Sequence, residues 1–347
     1  MDALENYRSI YEASYKRQRA SRTQWYFERL LQSPADVRIS DDGLAGMMAR
    51  TYPFLFWGTE LPLLNISRAT TRPGERGRGI MSSLIRKVMV EEAERGTAFA
   101  SVAPPTRRLY FFFDRFGFST VGYVSEERYT DLHAFASPDD VEGREPEAAT
   151  LREIARARGM SVLLSDADFA LLCEQLRLDD GSVISASGAD GAAMLFAGRR
   201  PDDGEPLSVH GLYSTSHDAS EAVLSALRAE RADGISITIR TDAEGSPKAR
   251  LRAGAMLRIL DAQRVLDALA KARPDLRMRI RLRDPIIPSN NSTFHLHRGR
   301  VERDESSQRP DLDISIDTLC SILFSEPKIG DVFDLPTRRL APIVLPG

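Results

Sequence analysis

The chain has 347 residues, 42% of them apolar and 28% charged, with a formal net charge of −3. Such a composition is that of an ordinary globular protein with at least one buried core, and it excludes a chain-wide basic field for nucleic acid. No apolar run reaches membrane-spanning length, the polar N-terminus lacks a signal-peptide core, and Cys173 and Cys320 stand in no metal or redox spacing, so a cytoplasmic setting with buried thiols is expected.

In chain order, residues 5 to 32 have helical spacing, with Tyr7, Ile10 and Tyr11, then Trp25, Leu30 and Leu31, and a break near Ser21. "VRISDDGLAGMMARTYPFLFWGTELPLLNISRATTRP" reads as three antiparallel strands joined by an Asp-Asp-Gly turn and a Trp-Gly-Thr-Glu turn. Ile80, Met81, Leu84, Ile85 and Val88 form one helical stripe that stops at Gly96. "AFASVAP" is a buried strand, "TRRLYFFFDRFGF" a short helix closed by Gly117, and "STVGYVSEERYTDL" another strand. "ASPDDVEGREPEA" has the composition of a linker. A helix at 164–176, strands at 181–187, 191–198 and 207–213, a helix at 218–231 and a strand at 234–241 follow, and "TDAEGSPKARLRAG" is a second break. The last part opens with "MLRILDAQRVLDALAKA" as an amphipathic helix. In "LRMRIRLRD", Leu276, Met278, Ile280 and Leu282 face a core while Arg277, Arg279, Arg281 and Arg283 face solvent. "STFHLHRGRVERD" and "PDLDISIDTLCSILF" add two strands and a helix.

The stretch with most chemical content is "RPGERGRGIMSSLIRKVM", where glycines and arginines precede a helix. A helix start exposes N–H groups and a partial positive charge, and glycine lets a ligand approach the backbone, which together suit phosphate. A nucleotide P-loop needs lysine where Ile80 stands, and a dinucleotide-binding turn needs a third glycine where Ser82 stands. What remains is Arg-x-x-Gly-x-small, a cradle for the pyrophosphate of coenzyme A, or else a surface turn with solvated arginines.

With the strand "LLNISRAT" before it and the helix ending "FDRFGF" after it, this turn resembles the GNAT acyltransferase superfamily over roughly residues 35 to 125. "DDGLAGMM…LPLLNISRATTRPGERGRGIMSSLI" and "GAMLRILDAQRVLDAL…RLRDPIIPSNNSTFHLHRGRVE" resemble more narrowly the enhanced-intracellular-survival (Eis-like) acetyltransferases. The resemblance implies an α/β (α+β) chain of three domains: a GNAT mixed sheet with flanking helices (1–140), a second, degenerate GNAT-like domain (141–250) and a sterol-carrier-protein-like domain with a C-terminal tail (251–347). It implies acetyl-CoA as cosubstrate, no metal, and direct acetyl transfer to a primary amine, an aminoglycoside, polyamine or lysine-like acceptor. A homo-oligomer, hexamer or trimer, is the implied assembly, with neither nucleic acid nor membrane as partner.

The same resemblance gives Arg76, Gly77, Arg78, Gly79, Ile80, Met81 and Ser82 the pyrophosphate, and the backbone of Arg68, Ala69 and Thr70 the pantetheine arm and the oxyanion. Relatives carry a tyrosine acid where this chain has Phe113. Tyr110, three residues earlier, is the candidate acid; the alternative is that it belongs to an aromatic core stripe with Phe112, Phe113 and Phe116. The C-terminal carboxylate, at Gly347, is the candidate proton acceptor. No Arg/Gly turn precedes the helix at 218, so one acyl-CoA site per chain is expected. The missing tyrosine leaves open a non-enzymatic acyl-CoA- or lipid-binding protein. His295 and His297 share a strand face without a third ligand at clear spacing, which suits a hydrogen-bonded pair better than a metal. His210 and His217 stand near a strand end in the middle part, and Trp25, Tyr26 and Trp57 are either pocket walls or core.

Overall fold

Met47, Ala49, Leu64, Ile66, Ala100 and Val102 occupy alternate strand positions and share one core cluster, as a period of two requires. The computed structural model of the chain describes residues 2–16, 18–31, 33–199, 205–241, 249–306, 308–324 and 345–346. The first run of elements is α1 (Ala3–Ser14), α2 (Ala20–Trp25), β1 (Val37–Ile39), β2 (Ala45–Phe56), β3 (Thr59–Thr71), α3 (Ile80–Glu94), β4 (Phe99–Val102), α4 (Arg107–Asp114) and β5 (Ser119–Tyr129). Next come β6 (Val141–Arg144), α5 (Ala148–Arg158), β7 (Met160–Val162), α6 (Asp166–Leu178), β8 (Ser182–Gly188), β9 (Gly191–Ala197), β10 (Leu207–Ser214), α7 (His217–Arg231) and β11 (Ile237–Thr241). The chain continues with β12 (Arg250–Ile259), α8 (Ala262–Ala272), β13 (Met278–Arg283), β14 (Thr293–His297), β15 (Arg300–Arg303), β16 (Leu312–Ser315) and α9 (Ile316–Phe324).

Two units form from these elements, one from residues 2–121 with 255–324 and the other from 122–254. In the first, β1, β2 and β3 are an antiparallel meander, β3 pairs with β4 in parallel, and β4 pairs antiparallel with the end of β12. The right-handed helix crossover that a parallel pair demands is α3, whose Leu84, Ile85, Val88 and Met89 pack on the sheet. The opposite face carries α1, and its Tyr7 ring lies where a Cβ of Gly46 would point. On that face too, Phe324 of α9 packs within 6.3 Å of Phe54, 5.5 Å of Phe56 and 5.7 Å of Phe99 between ring centres. A second sheet of order β15-β14-β13-β16 belongs to the same unit. In the other unit the order is β5-β11-β10-β9-β8-β6, with β10 and β11 parallel and α7 between them. Val223, Leu224 and Leu227 of α7 are buried against Leu195, Leu207 and Ile237 of that sheet.

Three local expectations are corrected. The break in the first helical segment falls at 15–19, not at Ser21, and a π-helical turn at Tyr26–Leu30 extends α2. The stretch expected to be a linker contains β6, laddered antiparallel to β8, and leads straight into a helix, α5, closed by Gly159 at φ 85°. "MLRIL" is not helical: Met256–Ile259 finish a strand laddered with Phe99–Val102. Asp261 then caps α8, its carboxylate accepting from the Arg264 N–H at 3.1 Å.

One ion pair is wholly buried. The Arg258 guanidinium on β12 reaches both Asp284 oxygens at 2.7 and 2.8 Å, with neither side chain exposed. Asp284 also accepts from the Ile286 and Ile287 N–H groups and from Asn290. At Gly117, φ is 76° and a Cβ would run into that guanidinium, so only glycine serves there. Removing one partner of such a pair strands a buried charge, so Asp284→Ala is expected to destabilise the fold by about 3–5 kcal/mol in urea denaturation.

Glu92, near the end of α3, is 4% exposed and accepts from Arg38, Arg95 and Thr97 at 2.8, 2.5 and 3.0 Å. Burial, the largest single influence, raises its pKa, but these donors together outweigh it and hold the carboxyl below its usual 4.5. The stabilisation is therefore complete above pH 4.5 and is lost as pH falls through the lower, folded-state value. Urea melts as a function of pH are expected to show that acid loss in the native chain and to show less of it in Glu92→Gln.

Candidate functional site

A bulge sits in the middle of the first sheet. Gly46 pairs with Thr70 and Met48 with Ser67, so Arg68 and Ala69 together stand opposite the single Met47. Arg68 takes up the extra length at φ 50°, a left-handed conformation uncommon outside glycine. On the other edge of β3 the parallel ladder to β4 covers Leu63 to Asn65, closed by an Asn65–Ser101 side-chain bond of 3.1 Å. Thereafter β4 stops at Val102, while β3 runs on to Thr71 along β2. The strands are thus unladdered just where the bulge places Arg68, Ala69 and Thr70.

Downstream of β3, a short 3-10 turn at Pro73–Glu75 leads to Arg76, Gly77, Arg78 and Gly79, all exposed. Gly77 and Gly79 have φ of 85° and 83°, and a Cβ built on either, or on Gly74, would meet nothing within 4 Å. Gly79 is the N-cap of α3 and makes no side-chain cap bond, so the first-turn N–H groups of Ile80, Met81 and Ser82 face a corner without filling side chains. Arg78 pairs with Glu75, and the Arg76 Nε donates to the Thr71 carbonyl at 3.3 Å. The helical crossover between β10 and β11 differs. At the start of α7 the Ser216 hydroxyl accepts from the Ala219 N–H at 3.4 Å, and the Thr215 hydroxyl accepts from the Ala192 N–H at 3.1 Å.

Tyr110 lies on α4, half-buried on the rim of the core cluster that Ala69, Ile80 and Met81 also border. Phe113, in contrast, is 7% exposed and belongs to the cluster itself. Tyr110 is therefore distinct from the buried part of the aromatic stripe. Gly347 lies outside the described residues.

Helical spacing predicts a core stripe with Tyr7 and Tyr11, and the structure gathers Tyr7, Tyr11, Tyr15 and Tyr26 beside the bulge. The Tyr7 hydroxyl donates to the Arg68 carbonyl at 3.0 Å and lies 3.3 Å from the Tyr26 hydroxyl. Tyr11 stacks on Tyr26, and its hydroxyl donates to Gln18 at 2.6 Å. The Tyr15 ring centre lies 4.5 Å from that of Tyr11, and the Arg68 guanidinium stands over the Tyr15 ring at 5.9 Å. Burial pushes the Tyr15 hydroxyl up in pKa, while Arg68 and Arg76 pull it back. The signal was the spacing of four between Tyr7, Tyr11 and Tyr15, which puts three hydroxyls on one helix face. Trp25 and Tyr26 are core residues, at 5% and 2% exposure.

His295, His297 and three of the strand arginines have structural partners. His295 and His297 stack at 4.6 Å, and His297 approaches Glu302 at 3.5 Å. Among the described residues no group of three or more His, Cys, Asp or Glu is gathered as metal ligands, and no helix is long and apolar enough to cross a membrane. Arg279 bonds Asp304 at 2.7 Å and Arg283 bonds Asp313 at 2.7 Å, with Arg281 at 3.9 Å from the same Asp313.

Comparison with known proteins accords with this geometry. Residues 1–121 match the family model of the acetyltransferase (GNAT) domain. A GCN5-related N-acetyltransferase from Anabaena variabilis shares the fold with a TM-score of 0.74 at 16% identity, over 96% of this chain and 91% of that one. A probable N-acyltransferase from Enterococcus faecalis does so with a TM-score of 0.72 at 13% identity, over 96% and 91%. Eis1 from Mycobacterium abscessus gives 0.66 at 16% identity, over 97% and 92%. No curated protein matches the sequence. The chain has a mixed α/β, GNAT-like fold, and its residues 1–121 match the acetyltransferase (GNAT) domain model.

Proposed function

We propose that the chain is an acetyl-CoA-dependent N-acetyltransferase that moves an acetyl group directly to a primary amine. The observation that carries this reading is the open corner at Gly77 and Gly79, set at a helix start and next to a strand that has left its parallel neighbour. Arg76, Gly77, Arg78, Gly79, Ile80, Met81 and Ser82 would hold the pyrophosphate through backbone N–H groups and two guanidinium side chains. The backbone of Arg68, Ala69 and Thr70 would hold the pantetheine arm and stabilise the oxyanion. The bound coenzyme supplies the activated thioester. Tyr110 would protonate the departing sulfur. The capped start of α7 supports a single coenzyme site per chain. Resemblance to the Eis-like group supports a sterol-carrier-like role for the C-terminal segment and assembly as a homo-oligomer.

We infer the class of acceptor from charge. The Arg68 guanidinium stands 5.9 Å from the Tyr15 ring centre, and Arg22 and Arg76 add positive charge near Tyr11 and Tyr15, so we infer a positive field beside the bulge. Such a field disfavours a polycation and keeps a single amine in its neutral, attacking form. In a thiol-release assay over amino-acid-like monoamines, polyamines, lysine peptides and aminoglycosides, monoamines are expected to give the highest kcat/KM, with added salt narrowing the gap. Binding of acetyl-CoA without thiol release from any amine would instead favour a catalytically silent acyl-CoA-binding protein.

Two variants test the coenzyme and the acid separately. Gly79→Ala is expected to cost about 1 kcal/mol of stability through its positive φ. Because its methyl meets no protein atom, a loss of acetyl-CoA affinity on the order of tenfold or more would come from the ligand's side of the corner, and calorimetric titration reads it. Tyr110→Phe is expected to lower kcat by roughly 10²-fold while leaving KM for acetyl-CoA within about twofold. Unchanged kcat would remove Tyr110 as the acid.

A further inference from the structure

The bulge carbonyl has a partner on the face away from the coenzyme corner. Ala45 and Met47 of β2 point into the cluster beneath α3, so the intervening Gly46 turns the other way, and there its missing Cβ would stand 2.7 Å from the Tyr7 ring. Tyr7 is fully buried and donates its one hydroxyl proton to the Arg68 carbonyl at 3.0 Å. The 3.3 Å contact with Tyr26 must then run from the Tyr26 hydroxyl to the Tyr7 oxygen. The chain Tyr26–Tyr7–Arg68 is thus oriented, and its end fixes one peptide plane.

That plane has a second end. The Arg68–Ala69 bond is trans, like all the described peptide bonds, so the Ala69 N–H points opposite to the Arg68 carbonyl. With the carbonyl held toward α1, the N–H faces the α3 side, where Ala69, Ile80 and Met81 border the same cluster. We propose that Tyr7 is a positioning residue that, by holding the Arg68 carbonyl, aims the Ala69 N–H at the oxygen of an acyl-coenzyme thioester. This rests on the coenzyme reading above and adds to it the group that orients the oxyanion donor. A bulge with a left-handed residue has several accessible peptide orientations, and a buried hydroxyl selects one of them in advance of the reaction.

The test uses the full chain and acetyl-CoA carrying carbon-13 at the thioester carbonyl. Isotope-edited infrared spectroscopy reads the carbonyl stretch, and a donor aimed at its oxygen lowers that frequency relative to free acetyl-CoA. The native chain is expected to show the lowered band. In Tyr7→Phe the band is expected to move back toward the free value, with dissociation of acetyl-CoA changed by less than about twofold and kcat lowered about ten- to hundredfold, short of the 10²–10³ for outright loss of a donor. Tyr26→Phe leaves the Tyr7–Arg68 bond in place and is expected to keep the band. A native band at the free frequency, or a Tyr7→Phe band and kcat equal to native, overturns the proposal while leaving the coenzyme reading intact. Loss of coenzyme binding in step with loss of the melting transition in Tyr7→Phe makes Tyr7 merely structural and overturns it too. A native chain that does not bind acetyl-CoA overturns the coenzyme reading, and this one with it.

Discussion

One extra residue in β3 governs the rest of the site. An antiparallel pair with matched residue counts would keep β3 flat between its neighbours and leave no backbone group turned out of the sheet. Two residues against one at Met47 force Arg68 to a positive φ and bend the strand. The ladder to β4 already ends at Asn65, and the bulge falls three residues later, inside the unladdered part. A gap between strands, an outward-turned peptide and a glycine-lined helix start therefore lie along a single stretch of chain, residues 65 to 82.

The energetic support for that stretch comes from both faces. Leu84, Ile85, Val88 and Met89 anchor α3 below it, and Glu92 ties the far end of the helix to Arg38 on β1. Above it, the tyrosines of α1 and the π-helical turn fill the space that Gly46 vacates. An open corner formed by bare backbone contributes little stability of its own, so neighbouring apolar contacts must carry it.

Much of this was legible in the sequence. The period-two runs gave β2, β3 and β4, the stripe from Ile80 gave α3, and the Arg-Gly run before it marked the corner, because glycine and helix starts act locally. The tyrosine chemistry was not legible: helical spacing announces a buried face but does not say that Tyr7 reaches a carbonyl 61 residues away. The start of α8 was misplaced because "MLRIL" suits either period, and pairing with β4, a long-range event, decides between them. Phe113 was seen as a departure from the family's tyrosine, and its burial fits that, whereas the exposure of Tyr110 depends on how α4 sits on the sheet.

The first unit is interrupted in sequence by the whole of the second. Among the described residues strand β4 gains its outer neighbour from Met256–Ile259, and Phe54, Phe56 and Phe99 are packed by Phe324. During synthesis the N-terminal segment emerges first yet has to wait for nearly the entire polypeptide before its apolar interior closes. The inserted body, contiguous in the chain, can acquire its structure earlier. Maturation order is thereby reversed relative to order of translation, and a fragment cut after residue 121 would leave the phenylalanines of that interior open to water.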